Sequence, residues 1–342
     1  MKPWIFEFLS APFETGKDIA PGSAPSAFES GLRRWRLVEA LGFEGIFFSE
    51  HHFGLSYSPA PNLLIATVAQ VTKRIRLGTM GMVLPFYQPW RVLEEIAMLD
   101  HLTGGRLEIG CASGVPQELI QVGLSVDEAR DRFNEALDIV DAGLAEPVIS
   151  HQGRYWSFEN LKILPRPLQQ PAPPKWTTVV STGSARKSAG RSSKICTAFE
   201  SVERVAEIFD AYREEADRLG VPTGPEQLAL RRNVAIADSE DAAQEAAART
   251  REAARKVLAG DPRVGTQKSE LIDAPKTKAG FSVHDDEFIA GTPKRVAEQI
   301  IEQCRATGAG HFLGIFARGY DYDAERMLTL FGKEVLPELL RS

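Results

Sequence analysis

Glu50, His51 and His52 stand side by side, with Phe53 directly after them. An unperturbed imidazole titrates at about pH 6.5, so a histidine beside a carboxylate can give and take a proton near neutrality. His51 is the candidate acid/base. Glu50 and His52 either orient it or satisfy local hydrogen bonds. The trio could also ligate a metal, but neighbours on an extended chain point to opposite faces and only alternate ones converge. No further ligand cluster accompanies them, and no metal is expected. Three more short segments have unusual chemistry: Gly78-Thr79-Met80-Gly81, Gly110-Cys111-Ala112-Ser113-Gly114 and Ser181-Thr182-Gly183-Ser184. The last precedes a short helical run. Free N–H groups at a helix start, helped by the hydroxyls of Thr182 and Ser184, can hold a phosphate. A plain helix cap is the other reading of the same residues.

These segments must be positioned by regular elements. Apolar strand-like runs fall at residues 4–9, 46–48, 74–79, 107–111, 176–181, 194–199, 228–237 and 311–316. Helical patterns alternate with them at 30–41, 62–71, from Pro89, at 127–144, 202–219, 240–258 and 323–340. Val92, Ile96 and Leu99 recur at helical spacing, and Gly104-Gly105 ends that helix. The alternation predicts a parallel α/β protein, and eight such units fit a closed (β/α)8 TIM barrel better than an open sheet, although pattern alone leaves both forms possible. Barrel enzymes carry their reactive groups at the carboxyl ends of strands. All four chemical segments lie there, at strands two to five. Two insertions break the rhythm. Residues 151–175, rich in proline, predict a hairpin plus an irregular connection after the fourth helix. Residues 260–286, in the seventh βα region, predict a mobile lid. Residues 1–342 are read as a single domain.

Composition bounds the function. Charged residues make up 25% of the chain and the net charge is -6, which speaks against a nucleic-acid partner. The three cysteines, Cys111, Cys196 and Cys304, form no metal or disulfide spacing, consistent with a reducing compartment. No apolar run approaches the roughly 20 residues of a membrane span. The apolar start at 4–9 contains Glu7 and has no leader-peptide cleavage pattern. A cytoplasmic protein without a membrane partner is expected.

At this point a family resemblance is visible. Glu50-His51-His52-Phe53 resembles the EHHF motif of bacterial luciferase and its relatives. The stretch from Gly78 through Met82-Val83-Leu84-Pro85 to Pro89, Arg91 and Leu93-Glu94 is similar to that family nearly residue for residue. Gly105-Arg106-Leu107, Gly110, Ala290-Gly291-Thr292-Pro293, Ala306-Thr307-Gly308, Phe331 and Leu336-Pro337 extend the likeness over nearly the whole chain. The resemblance implies an FMN-dependent monooxygenase that takes reduced FMN and O2 and oxygenates a small organic substrate through a flavin C4a-peroxide. It implies that His51 faces the flavin as acid/base, with Glu50 beside it. It implies a non-prolyl cis peptide at Met80–Gly81, with Thr79, Met80 and Gly81 under the isoalloxazine ring and Ala112 beside it. It also implies a phosphate site at Ser181, Thr182, Gly183 and Ser184. An arginine on the helix after the fourth strand completes that site; Arg132 is the choice, with a one-residue shift, and Arg130 competes. A guanidinium meets phosphate through two parallel hydrogen bonds.

There are departures. Luciferase itself has a Cys-Arg pair where this chain has Ala112 and Ser113, and the cysteine stands one step earlier, at Cys111. A one-residue shift on a strand turns a side chain to the other face, so Cys111 is expected to pack in the core. One phosphate contact is lost with the arginine, and light emission is not expected. No nicotinamide fingerprint follows a strand, so a separate NAD(P)H:flavin reductase is expected to supply the reduced FMN. The helices after strands two and three, carrying Trp90 and Met98, are expected to form a homodimer. Three rivals stay open: a deazaflavin (F420)-dependent oxidoreductase on the same barrel, a non-catalytic flavin-binding partner subunit, and an unrelated barrel hydrolase.

Overall fold

A computed structural model describes residues 1–11, 20, 22–53, 56–197, 199–259, 284–316 and 324–342, with the backbone alone at 253–259. β1 (Lys2–Glu7) leads to α1 (Ser23–Leu41), and β2 (Gly45–Phe48) to α2 (Pro61–Val71). β3 (Arg76–Thr79) runs through the short β4 (Met82–Val83) to α3 (Pro89–Thr103). β5 (Leu107–Ala112) is followed by α4 (Pro116–Gln121) and the long α5 (Val126–Ala145). A hairpin, β6 (Val148–Gln152) and β7 (Ser157–Lys162), comes next. Then β8 (Lys175–Thr178) precedes α6 (Thr182–Gly190), β9 (Lys194–Thr197) precedes α7 (Val202–Leu219), and β10 (Leu228–Ile236) precedes α8 (Glu240–Ala259). β11 (Phe288–Gly291), α9 (Pro293–Thr307) and β12 (His311–Ile315) follow. The chain ends with α10 (Ala324–Leu330), a π-helical turn (Phe331–Val335) and α11 (Leu336–Arg341).

β1, β2, β3, β5, β8, β9, β10 and β12 pair in parallel, each with the next, and β12 returns to β1. These are the eight runs read from the sequence, and their pairing settles the closed barrel over the open sheet. Closure satisfies the backbone on both sides of every strand, which an open sheet cannot do at its edges. The alternating side chains divide accordingly. Trp4, Phe6, Phe47, Met80, Trp176, Cys196, Ala229, Leu313 and Ile315 fill the barrel, and Trp4 stacks on Phe47 at 4.7 Å. Ile5, Ile46, Phe48, Leu77 and Ile109 face outward and pack under the helices. α7 shows how the sequence makes a covering helix. Val205, Ile208, Phe209, Tyr212 and Ala216 line one face, Ser201 caps the start by accepting the Arg204 N–H, and Gly220 ends it at φ 67°. Each large apolar side chain buried this way contributes about 1.5–3 kcal/mol. Among the described residues, no helix is long and apolar enough to cross a membrane.

Several elements differ from expectation. α1 starts at Ser23, earlier than residue 30. α4 was not anticipated, nor were β11 and α9, although Thr292-Pro293 and the spacing of Val296, Ile300 and Cys304 signal a helix start and an apolar stripe. The final helix runs unbroken from Ala324 to Arg341 but contains a π-helical turn. Pro337 has no N–H to donate, so the turn before it widens to a π-helix. The hairpin expected after the fourth helix is present, and the proline-rich stretch beyond it carries cis bonds before Pro165 and Pro171. The lid expected at 260–286 falls outside the described residues except for His284, Asp285 and Asp286.

At the amino-terminal end of the barrel, Trp4 Nε1 donates to His311 Nδ1 at 2.9 Å, and His311 Nε2 lies 3.1 Å from the Glu226 carbonyl. An indole only donates, so Nδ1 carries the lone pair and Nε2 the proton. Burial pushes His311 down to about 3, with Lys194 and Lys2 adding to the effect. The unfolded chain therefore binds a proton that the folded chain refuses between about pH 6.5 and 3, and stability that is intact above pH 6.5 drains away as the pH falls. His311→Gln keeps both hydrogen bonds without the proton uptake. Its unfolding free energy relative to wild type is expected to improve by about 2 kcal/mol between pH 7 and pH 5. Urea melts at the two pH values check this, and an unchanged gap refutes it.

Candidate active site

The end of β2 separates its three polar residues by strand alternation. Ser49 and His51 continue the inward face of Phe47, while Glu50 and His52 continue the outward face of Phe48. Glu50 is buried, and its carboxylate takes the Tyr87 hydroxyl at 2.9 Å, the Val83 N–H at 3.3 Å and His52 Nε2 at 2.9 Å. The hydrogen bond to Glu50 raises the His52 pKa against an opposing burial effect. Burial, reinforced by Glu50, raises the Tyr87 phenol as well. Glu50 is thus tied to the segment after β3 rather than to His51. His51 instead places Nδ1 2.9 Å from Glu118 Oε1, on α4. Its ring stacks on Phe8 at 5.4 Å with 19° between the planes, and its side chain is 33% exposed.

β3 and β5 form a tight floor beside it. The Met80–Gly81 peptide is cis, as expected. The Thr79 hydroxyl donates to the Gly110 carbonyl at 2.7 Å and accepts the Gly110 N–H at 3.1 Å, so it stitches the two strands together. Met80 is buried in the barrel interior. Gly81 lies backbone to backbone against Gly110 and Cys111, where an added Cβ would stand 2.7–2.8 Å away. Ala112 pairs with Val83 and is half-buried. Cys111 faces the outer core, and burial pushes its thiol up to about 12, so it packs as expected.

At the fifth strand, Ser181 and Ser184 satisfy each other in a capping box. The Ser181 hydroxyl accepts the Ser184 N–H at 3.1 Å, and the Ser184 hydroxyl donates to the Ser181 carbonyl at 2.8 Å. The groups left to meet a ligand are the first-turn N–H groups of Thr182 and Gly183 and the Thr182 hydroxyl. The two candidate arginines separate. Arg132 pairs with Glu128 at 2.9 Å and lies over the Tyr155 ring at 4.7 Å, toward the hairpin. Arg130 sits one turn before Asn134, on the face of α5 that also carries Asp138 and Asp141. Asp138 and Asp141 bind Arg191, just past α6. By helix spacing Arg130 lies on the face toward α6, although its guanidinium pairs with Asp127 at 3.1 Å.

The seventh strand adds residues that the sequence reading missed. Arg231 and Asn233 share the inward face with Ala229. Above Thr197 and Leu230, β10 leaves β9 for β11, and Glu287 fills the gap. Its carboxylate takes Arg231, Arg232, Asn233 and the Phe199 N–H. The Arg231 guanidinium lies 4.3 Å from the Phe199 ring centroid and 5.2 Å from that of Phe6. Three buried atoms on inward positions, Ser49 Oγ, Arg231 Nε and Asn233 Oδ1, have no hydrogen-bond partner among the described residues. Buried polar groups are rarely left so. Two charges inside the apolar 228–236 run were the readable sign of this cluster. Glu118 left no sign beyond Pro116 opening a helix.

An eight-stranded parallel barrel with polar groups gathered at the carboxyl ends of its strands has the architecture of a barrel enzyme. Residues 8–311 match the luciferase-like monooxygenase family model, and the chain belongs to that family. It is 32% identical over 64% of its length to the oxygenase component of the flavin-dependent trigonelline monooxygenase of Acinetobacter baylyi. It is 25% identical to the 3,6-diketocamphane 1,6-monooxygenase of Pseudomonas putida, over 94% of this chain and 96% of that one. A solved monooxygenase from Streptomyces bottropensis superposes with a TM-score of 0.85, 25% identity and 98% and 99% of the two chains covered. Matches to the first curated relatives span 46%, 54% and 62% of those proteins' lengths.

Proposed function

We propose that this protein is the oxygenase of a two-component flavin monooxygenase, taking reduced FMN from a separate reductase and O2 from solution to oxygenate a small organic substrate. The observation that carries this reading is the gathering of His51, Met80, Ala112 and the start of α6 at one end of the barrel, above inward polar atoms that have no partner among the described residues. Similarity to a relative named as an oxygenase component supports the separate reductase. Reduced FMN, when bound, supplies the two electrons that activate O2 for transfer of one oxygen atom. The protein's part is to bind, orient and keep water out. Thr79 and Gly110 hold the floor on which Met80, Gly81 and Ala112 would carry the ring system, and Glu50 braces that floor through Val83 and Tyr87. Thr182 and Gly183 N–H groups would take the phosphate, with Ser181 and Ser184 fixing the turn. His51 would hold or move a proton at Nε2, its nitrogen on the open side of the ring.

Stopped flow tests the proposal. The protein is expected to bind FMN and to slow the reoxidation of reduced FMN by O2 at least tenfold relative to free reduced FMN. Reoxidation at the free rate, or no FMN affinity, defeats it. The phosphate site has its own test. Arg130→Ala is expected to weaken FMN at least fivefold more than riboflavin, while Arg132→Ala treats the two alike. The reverse pattern, measured by fluorescence titration, would assign the phosphate to Arg132.

The proposal includes a homodimer. Leu63 on α2 and Trp90, Met98 and Leu102 on α3 are exposed apolar side chains on neighbouring helices, the composition of an association face. Light scattering is expected to give twice the chain mass.

A further inference from the structure

We infer that Glu118 is the positioning carboxylate of His51, holding the imidazole with its proton on Nδ1 and its lone pair on Nε2. The inference deepens the proposed function and rests on His51 serving in it. Its ground is geometric. Glu118 Oε1 lies 2.9 Å from His51 Nδ1, a hydrogen bond across 67 residues of chain that only the folded barrel brings together. A carboxylate accepts and cannot donate, so the shared proton belongs to Nδ1. The other nitrogen, Nε2, has no partner among the described residues. Phe8 supplies the second restraint. Its ring, stacked at 5.4 Å, blocks rotation of the imidazole out of the plane that the carboxylate selects. Two contacts from different elements, β1's continuation and α4, therefore aim one nitrogen.

Glu118 is a poor structural residue on its own terms. It is 8% exposed, and its second oxygen, Oε2, is buried with no hydrogen-bond partner among the described residues. A buried carboxylate with a single hydrogen bond costs stability that an apolar residue in the same place would not. The charge is explained by what it does to the ring. When Nε2 takes a proton, the imidazolium is balanced by a fixed negative charge 2.9 Å from Nδ1. When Nε2 gives that proton to an oxygen of a bound reactant, the ring returns to neutral with the Nδ1 proton unmoved. The Nδ1 proton stays on the ring, facing the Glu118 oxygen, so a single proton is transferred at Nε2.

The test reads the ring directly. The full chain, labelled with 15N-histidine, is examined by NMR with FMN bound, and the His51 signals are assigned by difference from His51→Gln. Read at a pH where the ring is neutral, wild type is expected to carry the His51 proton on Nδ1. Glu118→Gln, whose amide can donate or accept, is expected to bring the Nε2-protonated form to at least a third of the population. FMN affinity should stay within twofold. A wild-type proton on Nε2, or a Glu118→Gln spectrum identical to wild type, overturns the inference. The wild-type spectrum decides by itself if the variant fails to fold. Loss of FMN binding in the wild type would defeat the proposed function instead, and the tautomer in the FMN-free protein would still be readable.

Discussion

Replacing His51 with alanine is expected to abolish at least nine-tenths of the protein's delay of reduced-FMN reoxidation and to release hydrogen peroxide in place of retained oxygen. A positioned acid/base contributes about 10²–10⁴-fold to a proton-dependent step, so a tenfold loss is the lower bound. His51 is 33% exposed and contacts Phe8 and Glu118, so its removal opens no large cavity but leaves the buried Glu118 carboxylate without its hydrogen bond, and the melting temperature is expected to fall. FMN affinity within twofold completes the expected pattern. Near-wild-type stopped-flow traces would remove His51 from the mechanism.

The second large effect is structural. Gly110→Ala is expected to destabilise the protein by about 4 kcal/mol or more, because the added methyl overpacks a site walled by backbone. Its Cβ would lie 1.9 Å from the Thr79 carbonyl oxygen and 3.1 Å from Met80 Cα. No side chain can rotate away. β3 and β5 must part, and with them go the two Thr79–Gly110 hydrogen bonds and the floor under Met80 and Gly81. Gly183→Ala is the control. Nothing lies closer than 4.0 Å to its Cβ, so its cost should stay within about 0.5 kcal/mol. Urea unfolding of the two variants checks both. A Gly110→Ala protein as stable as wild type would overturn the close apposition of β3 and β5.

These two positions also show what could be read early and what could not. His51 stood out as a candidate because an EHHF run at a strand end is unusual, and strand alternation tells which of its members share a face. The same alternation placed Cys111 outside the barrel correctly. Glu118 was not legible. Its partner lies 67 residues away, and nothing in Pro116-Gln117-Glu118 marks that residue among the chain's many acidic ones. Arg130 and Arg132 could not be separated either, because the choice depends on which neighbour flanks each face of α5. Tyr155 on one flank and Arg191 on the other are remote in sequence.

What the sequence by itself determined is local: eight short apolar strands, most of the helices between them, and the inward or outward sense of each residue at a strand end. Backbone sterics and the two-residue repeat act over a few positions, so a short window is enough to reveal them. Tertiary structure decided the closing of β12 onto β1 and the diversion of Glu50 to Tyr87 and Val83. It also decided the arrival of Glu118 at His51 and the placing of Glu287 where β10 leaves β9. Each of these joins residues far apart along the chain. Such contacts depend on the geometry of the whole barrel, and no local preference of the chain encodes that geometry in readable form.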